Sequence, residues 1–120
     1  MPNSCRTIML FAPKGGVGKT TISAHLLVAA ARDGLRTIGL DFDPQQTLKL
    51  WADTRAAHAE VERLPMFDVG TADIDDWLTV WKHIGDYDIA VIDMPPGFKG
   101  HEASIYNMVG RVDYCTGPQS

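Results

Sequence analysis

In the stretch TIMLFAPKGGVGKTT, Thr7 to Thr21, a short apolar run breaks into a glycine-rich loop that ends in Gly-Lys-Thr-Thr. The run from Thr7 to Ala12 suits a buried parallel strand. Gly15, Gly16 and Gly18 free the backbone for positive φ, so that the N–H groups of Gly15, Gly16, Val17 and Gly18 can converge on a phosphate without interference from a Cβ. Lys19 stands where a phosphate-binding loop puts the lysine that reaches the outer phosphates, and a helix opening near it adds the positive end of its dipole. Thr20 is placed to ligate Mg²⁺ through its hydroxyl, and Thr21 to reach an inner phosphate. Two features stand apart from the ordinary pattern G-x-x-x-x-G-K-[ST]. Pro13 occupies the first glycine position, and Lys14 adds a second cation five residues before Lys19.

Outward from this loop the chain alternates. Ile22, Leu26, Ala29 and Ala30 fall on one helical face, and Gly34 sits where a C′ glycine ends a helix. RTIGLDFD, Arg36 to Asp43, is a second apolar run that stops at Asp41 and Asp43. Asp43-Pro44 reads as an N-cap followed by proline at the first helical position. The helix it opens extends to about Ala59, with Leu48, Trp51, Ala52, Arg55 and Ala56 on one side. LPMFDVG (64–70) is a third strand, which Pro65 places near an edge. Ile74, Trp77, Leu78, Trp81 and Ile84 then repeat at helical spacing, behind Asp73, Asp75 and Asp76 at the positive N-terminus. YDIAVIDMPPG (87–97) is the clearest strand, apolar from Ile89 to Ile92 and closed by Asp93 and a Pro-Pro-Gly turn. A helix over Glu102 to Val109 and a strand over Val112 to Thr116 follow. Strands alternating with helices predict an α/β fold, a parallel sheet flanked by helices with right-handed crossovers, and ligands at the carboxyl ends of its strands.

Composition narrows the function classes. The 120 residues are 45% hydrophobic and 22% charged, the profile of one globular domain spanning residues 1–120. A net charge of -4 advertises no global affinity for nucleic acid. Cys5 and Cys115 stand far apart outside any C-x-x-C pair, which argues against a disulfide framework or a cysteine metal site and fits a reducing cytoplasm. There is no secretory signal, and no window approaches the ~18 apolar residues of a membrane span. His25, His58, His83 and His101 lack ligand spacing. The three tryptophans fall on helical apolar faces and read as core, and Lys82, Lys99 and Arg111 are too scattered for a DNA-binding patch.

Three motifs in order, KGGVGKTT, DFDPQ after the second strand and DMPPG after a later one, resemble the ParA/MinD family of deviant Walker-A P-loop ATPases. The resemblance is nearest to the short ParA proteins of plasmid and chromosome partition, and DPQQTLKLW and FDVGTA are similar to segments of those proteins. The family varies at the position of Pro13. The resemblance implies an ATP-dependent homodimer in which Lys14 crosses the interface to the partner's phosphates, supplying a cation in trans as an arginine finger does. The alternative reading of Lys14 is a solvated loop lysine. Asp93 takes the Walker-B position and holds Mg²⁺ through a water, and Asp41 supports the metal's water shell. By resemblance Asp43 orients the attacking water, whereas as a residue before proline it is an N-cap. Gly97 either senses the γ-phosphate through its N–H or serves a tight turn.

The function so implied is a dimerisation switch with slow Mg-ATP hydrolysis. A ParB-like partner stimulates it, and non-specific DNA is bound through a part of the domain beyond these residues. Family members continue with strands and helices that hold the adenine, so residues 1–120 are expected to form the N-terminal part of the family's full domain. Three other readings are weighed. MinD-like positioning requires a C-terminal amphipathic helix, which these residues do not contain. An iron–sulfur relative requires more cysteines after the Walker-B strand. A non-catalytic nucleotide-binding module differs from the switch by the absence of hydrolysis.

Overall fold

Each apolar run becomes a strand of one sheet in the computed structural model, which describes residues 5–11, 17–95, 97 and 100–116. The strands are β1 (Arg6–Leu10), β2 (Thr37–Asp41), β3 (Asp68–Thr71), β4 (Ile89–Asp93) and β5 (Tyr114–Thr116). They lie in the order β3-β2-β4-β1-β5, and every neighbouring pair is parallel. Parallel neighbours need crossover connections. These run through α1 (Val17–Arg32), α2 (Thr47–Glu62), α3 (Trp77–Trp81) and α4 (Glu102–Val109). The expected α/β fold is therefore the observed one. β3 is an edge strand, and Pro65 lies in the segment leading into it, as a residue without an N–H requires.

Side chains alternate across each strand, and the two faces build two cores. Leu10 and Val91 point to one face, where they meet Leu27 of α1, Leu48 of α2 and Val69. Met9, Ala90 and Ile92 point to the other, against Ile74, Trp77, Ile84, Ile105 and Met108. Close approach on the first face depends on one glycine. A Cβ on Gly39 of β2 would stand 3.0 Å from Leu27 Cδ1 and 3.2 Å from Val69 Cγ2, so a larger residue would make those side chains give way.

Three local expectations are corrected. The buried side of α1 is Lys19, Ser23, Leu27 and Ala30, while Ile22 is 51% exposed and Ala29 faces solvent. Lys19 and Ser23 turn inward because a buried carboxylate is there to receive them, and that rotates the helix away from the face its apolar residues suggest. The second helix starts at Thr47, not at Pro44. Asp43 closes a tight turn instead of capping it, accepting from Gln45 N at 3.0 Å through its side chain and from Gln46 N at 2.9 Å through its carbonyl. Gln46 then sits at φ 54, outside helical backbone. The expected third helix is broken into a 3-10 turn (Ile74–Asp76), the short α3 and a second 3-10 turn (Ile84–Asp86). Asp73 accepts from Asp75 N at 2.9 Å, which tightens the first turn, and Gly85 lies in the second. Ile74, Trp77 and Ile84 are buried nonetheless, while Leu78 is 49% exposed.

Candidate functional site

Register places the acidic strand ends in one row. Leu10 pairs with Asp93, Asp93 with Asp41, and Asp41 with Thr71, so both aspartates lie side by side at the carboxyl edge of the sheet. The connection from β1 runs toward the β2 side of the sheet and that from β4 toward β5, so the crevice between β1 and β4 is a topological switch point. Open parallel sheets bind ligands there. α1 begins above that crevice.

Lys19, on the first turn of α1, is only 5% exposed. Its Nζ lies 3.2 Å from Asp93 Oδ1 and 3.3 Å from Asp43 Oδ2, and it donates to the carbonyl of Met94. An ammonium is tolerated at that depth because it is paired and hydrogen-bonded. Thr20 donates to Asp93 Oδ2 at 3.4 Å, so a hydroxyl and a carboxylate oxygen face each other at the start of the helix. Asp41 is 1% exposed and accepts from Asp43 N (3.1 Å, Oδ1) and Lys49 N (3.0 Å, Oδ2). Those bonds pin the loop that carries Asp43 and satisfy a first-turn N–H of α2. Burial raises the pKa of Asp93 above the ordinary carboxylate range, against the lowering effect of the Lys19 charge. Burial likewise raises that of Asp41, opposed by the hydrogen bonds from Lys49 and Asp43.

The structure thus brings Lys19, Thr20, Asp43, Asp93 and, through the loop, Asp41 together. Gly18 and Thr21 are exposed on the same first turn of α1, beside Val17 in the chain. Gly97 has φ 78, a left-handed conformation that favours glycine. Pro13, Lys14, Gly15 and Gly16 lie outside the described residues. A depression of about 610 Å³ opens beside Thr20 and Thr21, between α1 and Thr47 and Trp51 of α2. A second, of about 360 Å³, borders Asp43, Asp73, Pro95 and His101.

Among the described residues no group of three His, Cys, Asp or Glu could hold a metal ion. The donor set nevertheless fits Mg²⁺, which keeps several waters and takes one or two carboxylates together with substrate phosphates. One carboxylate, one hydroxyl and a location that already accepts a buried cation meet that requirement.

Two features escaped the sequence reading. Ser23 is fully buried and stands 3.3 Å from Asp93 Oδ1. Its inward spacing with Lys19, i and i+4, was the available signal, masked by the apolar residues around it. Asp75 accepts from Ser104 at 2.9 Å and lies 3.3 Å from His101 Nδ1, tying the start of α4 to the turn after β3. The Ser104 and His101 contacts hold the Asp75 carboxyl below its ordinary pKa.

The description "CobQ/CobB/MinD/ParA nucleotide binding domain" matches residues 8–108. The chain belongs to this family. The expected P-loop ATPase fold therefore stands. Among curated relatives, the maintenance of carboxysome distribution protein A of Gloeobacter kilaueensis is 32% identical over 91 residues, covering 76% of this chain and 39% of the relative. A probable plasmid-partitioning protein ParA of Thermus thermophilus is 33% identical over 76 residues, covering 63% and 24%. The chain thus spans well under half the length of these relatives. Among solved structures, cobyrinic acid a,c-diamide synthase from Mycobacterium smegmatis, with bound ADP and magnesium, superposes with a TM-score of 0.66 at 21% identity, over 96% of this chain and 59% of that one. MinD in the Aquifex aeolicus MinC:MinD complex gives 0.61 at 22%, over 94% and 55%. At such identities these two structures speak for the shared fold. Among the described residues no helix is long and apolar enough to cross a membrane.

Proposed function

We propose that this chain is the Mg-ATP site of a ParA-type dimerisation switch that is reset by slow hydrolysis. The observation that carries the reading is the Lys19 ammonium held between Asp43 and Asp93 at the β1–β4 switch point. A lysine so placed has two sets of partners. Without nucleotide it neutralises the carboxylates; with nucleotide it turns to the β- and γ-phosphates, and the carboxylates are left for a metal. The N–H groups of Gly15, Gly16, Val17 and Gly18 cradle the phosphates, Thr21 reaches an inner one, and the Gly97 N–H reads the terminal one.

Thr20 and Asp93 would hold magnesium, Asp93 through a water. Asp41 would support its water shell with the lone pairs that its two backbone bonds leave over. When bound there, the ion would supply positive charge to the phosphate oxygens. Asp43 orients the attacking water, because a carboxylate contributes more by position than by basicity. Lys14 completes the site from the second subunit, so that turnover depends on dimerisation.

The relatives' names, carboxysome distribution and plasmid partitioning, support cargo positioning. The proposal adds a ParB-like or other activating partner and non-specific DNA as the track, in the cytoplasm or on the nucleoid. Sedimentation with Mg-ATP and a turnover assay with and without DNA test the reading. Lys14→Ala is expected to bind ATP as a monomer nearly as well as the parent and to lose hydrolysis. Hydrolysis at the parent rate would remove the in-trans role, and no hydrolysis by the parent with DNA and partner would leave only a binding module.

A further inference from the structure

Ser23 is a polar residue on the inner face of α1 with no solvent exposure, and its hydroxyl has one proton to give. Two acceptors are in reach: the Lys19 carbonyl at 3.1 Å, the ordinary back-bond of a helical serine, and Asp93 Oδ1 at 3.3 Å. Thr20, one turn earlier on the same face, lies 3.4 Å from the other oxygen, Oδ2. α1 therefore brings a hydroxyl within reach of each oxygen of the Asp93 carboxylate, from residues three apart.

Resting on the reading of this site as a Mg-nucleotide site, we propose that Ser23 is a positioning residue that fixes the plane of the Asp93 carboxylate for magnesium. The argument turns on what each partner does when nucleotide arrives. In the structure Asp93 Oδ1 has two polar neighbours, Lys19 Nζ at 3.2 Å and the Ser23 hydroxyl. Lys19 must leave to meet the phosphates. Ser23, fixed in the helix and buried, stays. Its hydroxyl then becomes the standing donor to Oδ1, and it keeps Oδ2 turned toward Thr20, where the two groups that would serve the metal face each other. Without it the carboxylate is free to rotate once its lysine has gone, and part of the metal affinity is lost to that freedom.

The test is a Mg²⁺ titration of ATP binding, followed with a fluorescent ATP analogue, on the parent chain, Ser23→Ala and Ser23→Cys. Cysteine fills the serine's space but is a weak donor. Both variants are expected to need roughly fivefold to tenfold more Mg²⁺ at the midpoint, with ATP affinity in EDTA and thermal midpoint unchanged. An unchanged Mg²⁺ midpoint in Ser23→Ala overturns the inference, as does recovery of the parent midpoint by Ser23→Cys, which would trace the effect to packing. Equal weakening with and without metal also overturns it. If the parent chain itself binds ATP without any Mg²⁺ dependence, the metal reading of the site fails as well, which separates the two failures.

Discussion

Asp43 holds four interactions at once: the Lys19 ammonium on Oδ2, Gln45 N on Oδ1, Gln46 N on its carbonyl and, through its own N–H, an oxygen of Asp41. When Lys19 turns to a phosphate, Oδ2 is released while the turn still fixes the rest of the side chain. Asp43→Ala should therefore bind ATP and dimerise yet hydrolyse poorly, accumulating as the ATP dimer in sedimentation; turnover at the parent rate would exclude a water-orienting role. Cys5 shows burial as the largest influence on a titratable group. Its thiol is 5% exposed and its pKa is pushed up to about 11, chiefly by burial and then by the charges of Asp113 and Asp88. The folded state thus holds the thiol proton more tightly than the unfolded chain. That contribution to stability is complete below about pH 9 and is lost as the pH rises through about 11. Exposed Cys115 should accordingly react with an alkylating reagent well before Cys5 at pH 8. Equal rates would contradict the burial of Cys5. The convergence of Asp41, Asp43 and Asp93 was legible because acidic residues ending apolar runs have few structural uses. Ser23 was not, because a serine inside a helix is ordinary until its neighbour across the sheet is known.

At the scale of elements, strands were read more faithfully than helices, for a physical reason. A parallel strand buried on both faces is a short continuous apolar run, and Ile89 to Ile92 has no other use. A helix face can be rotated by one polar contact, as Lys19 and Ser23 rotate α1. A helix start can be displaced by one side chain, as the Asp43 turn and the Asp41 bond to Lys49 N shift α2 to Thr47. Helical spacing from Ile74 to Ile84 yields buried anchors without a continuous helix, since three aspartates and Gly85 favour tighter turns. Gly39 carries a prediction at this scale. With Leu27 Cδ1 3.0 Å from where its Cβ would be, Gly39→Ala must shift the Leu27 and Val69 side chains by a few tenths of an ångström. A loss of about 1–3 kcal/mol in urea denaturation is expected. An unchanged midpoint would show that α1 does not rest on β2 as described.

Across the whole molecule, function follows from which strands become neighbours, and the alternation of elements does not specify that. Placing β4 between β1 and β2 brings Asp93 beside Asp41 and beneath Lys19, although Lys19 and Asp93 stand 74 positions apart in the chain. The central claim is that this junction is a nucleotide site whose lysine exchanges carboxylates for phosphates. Titration calorimetry with Mg-ATP on the parent chain and Lys19→Ala tests it most directly. The account predicts saturable binding by the parent and a loss of roughly 2–4 kcal/mol in the variant, about thirtyfold to several hundredfold in Kd. Equal affinities would contradict it.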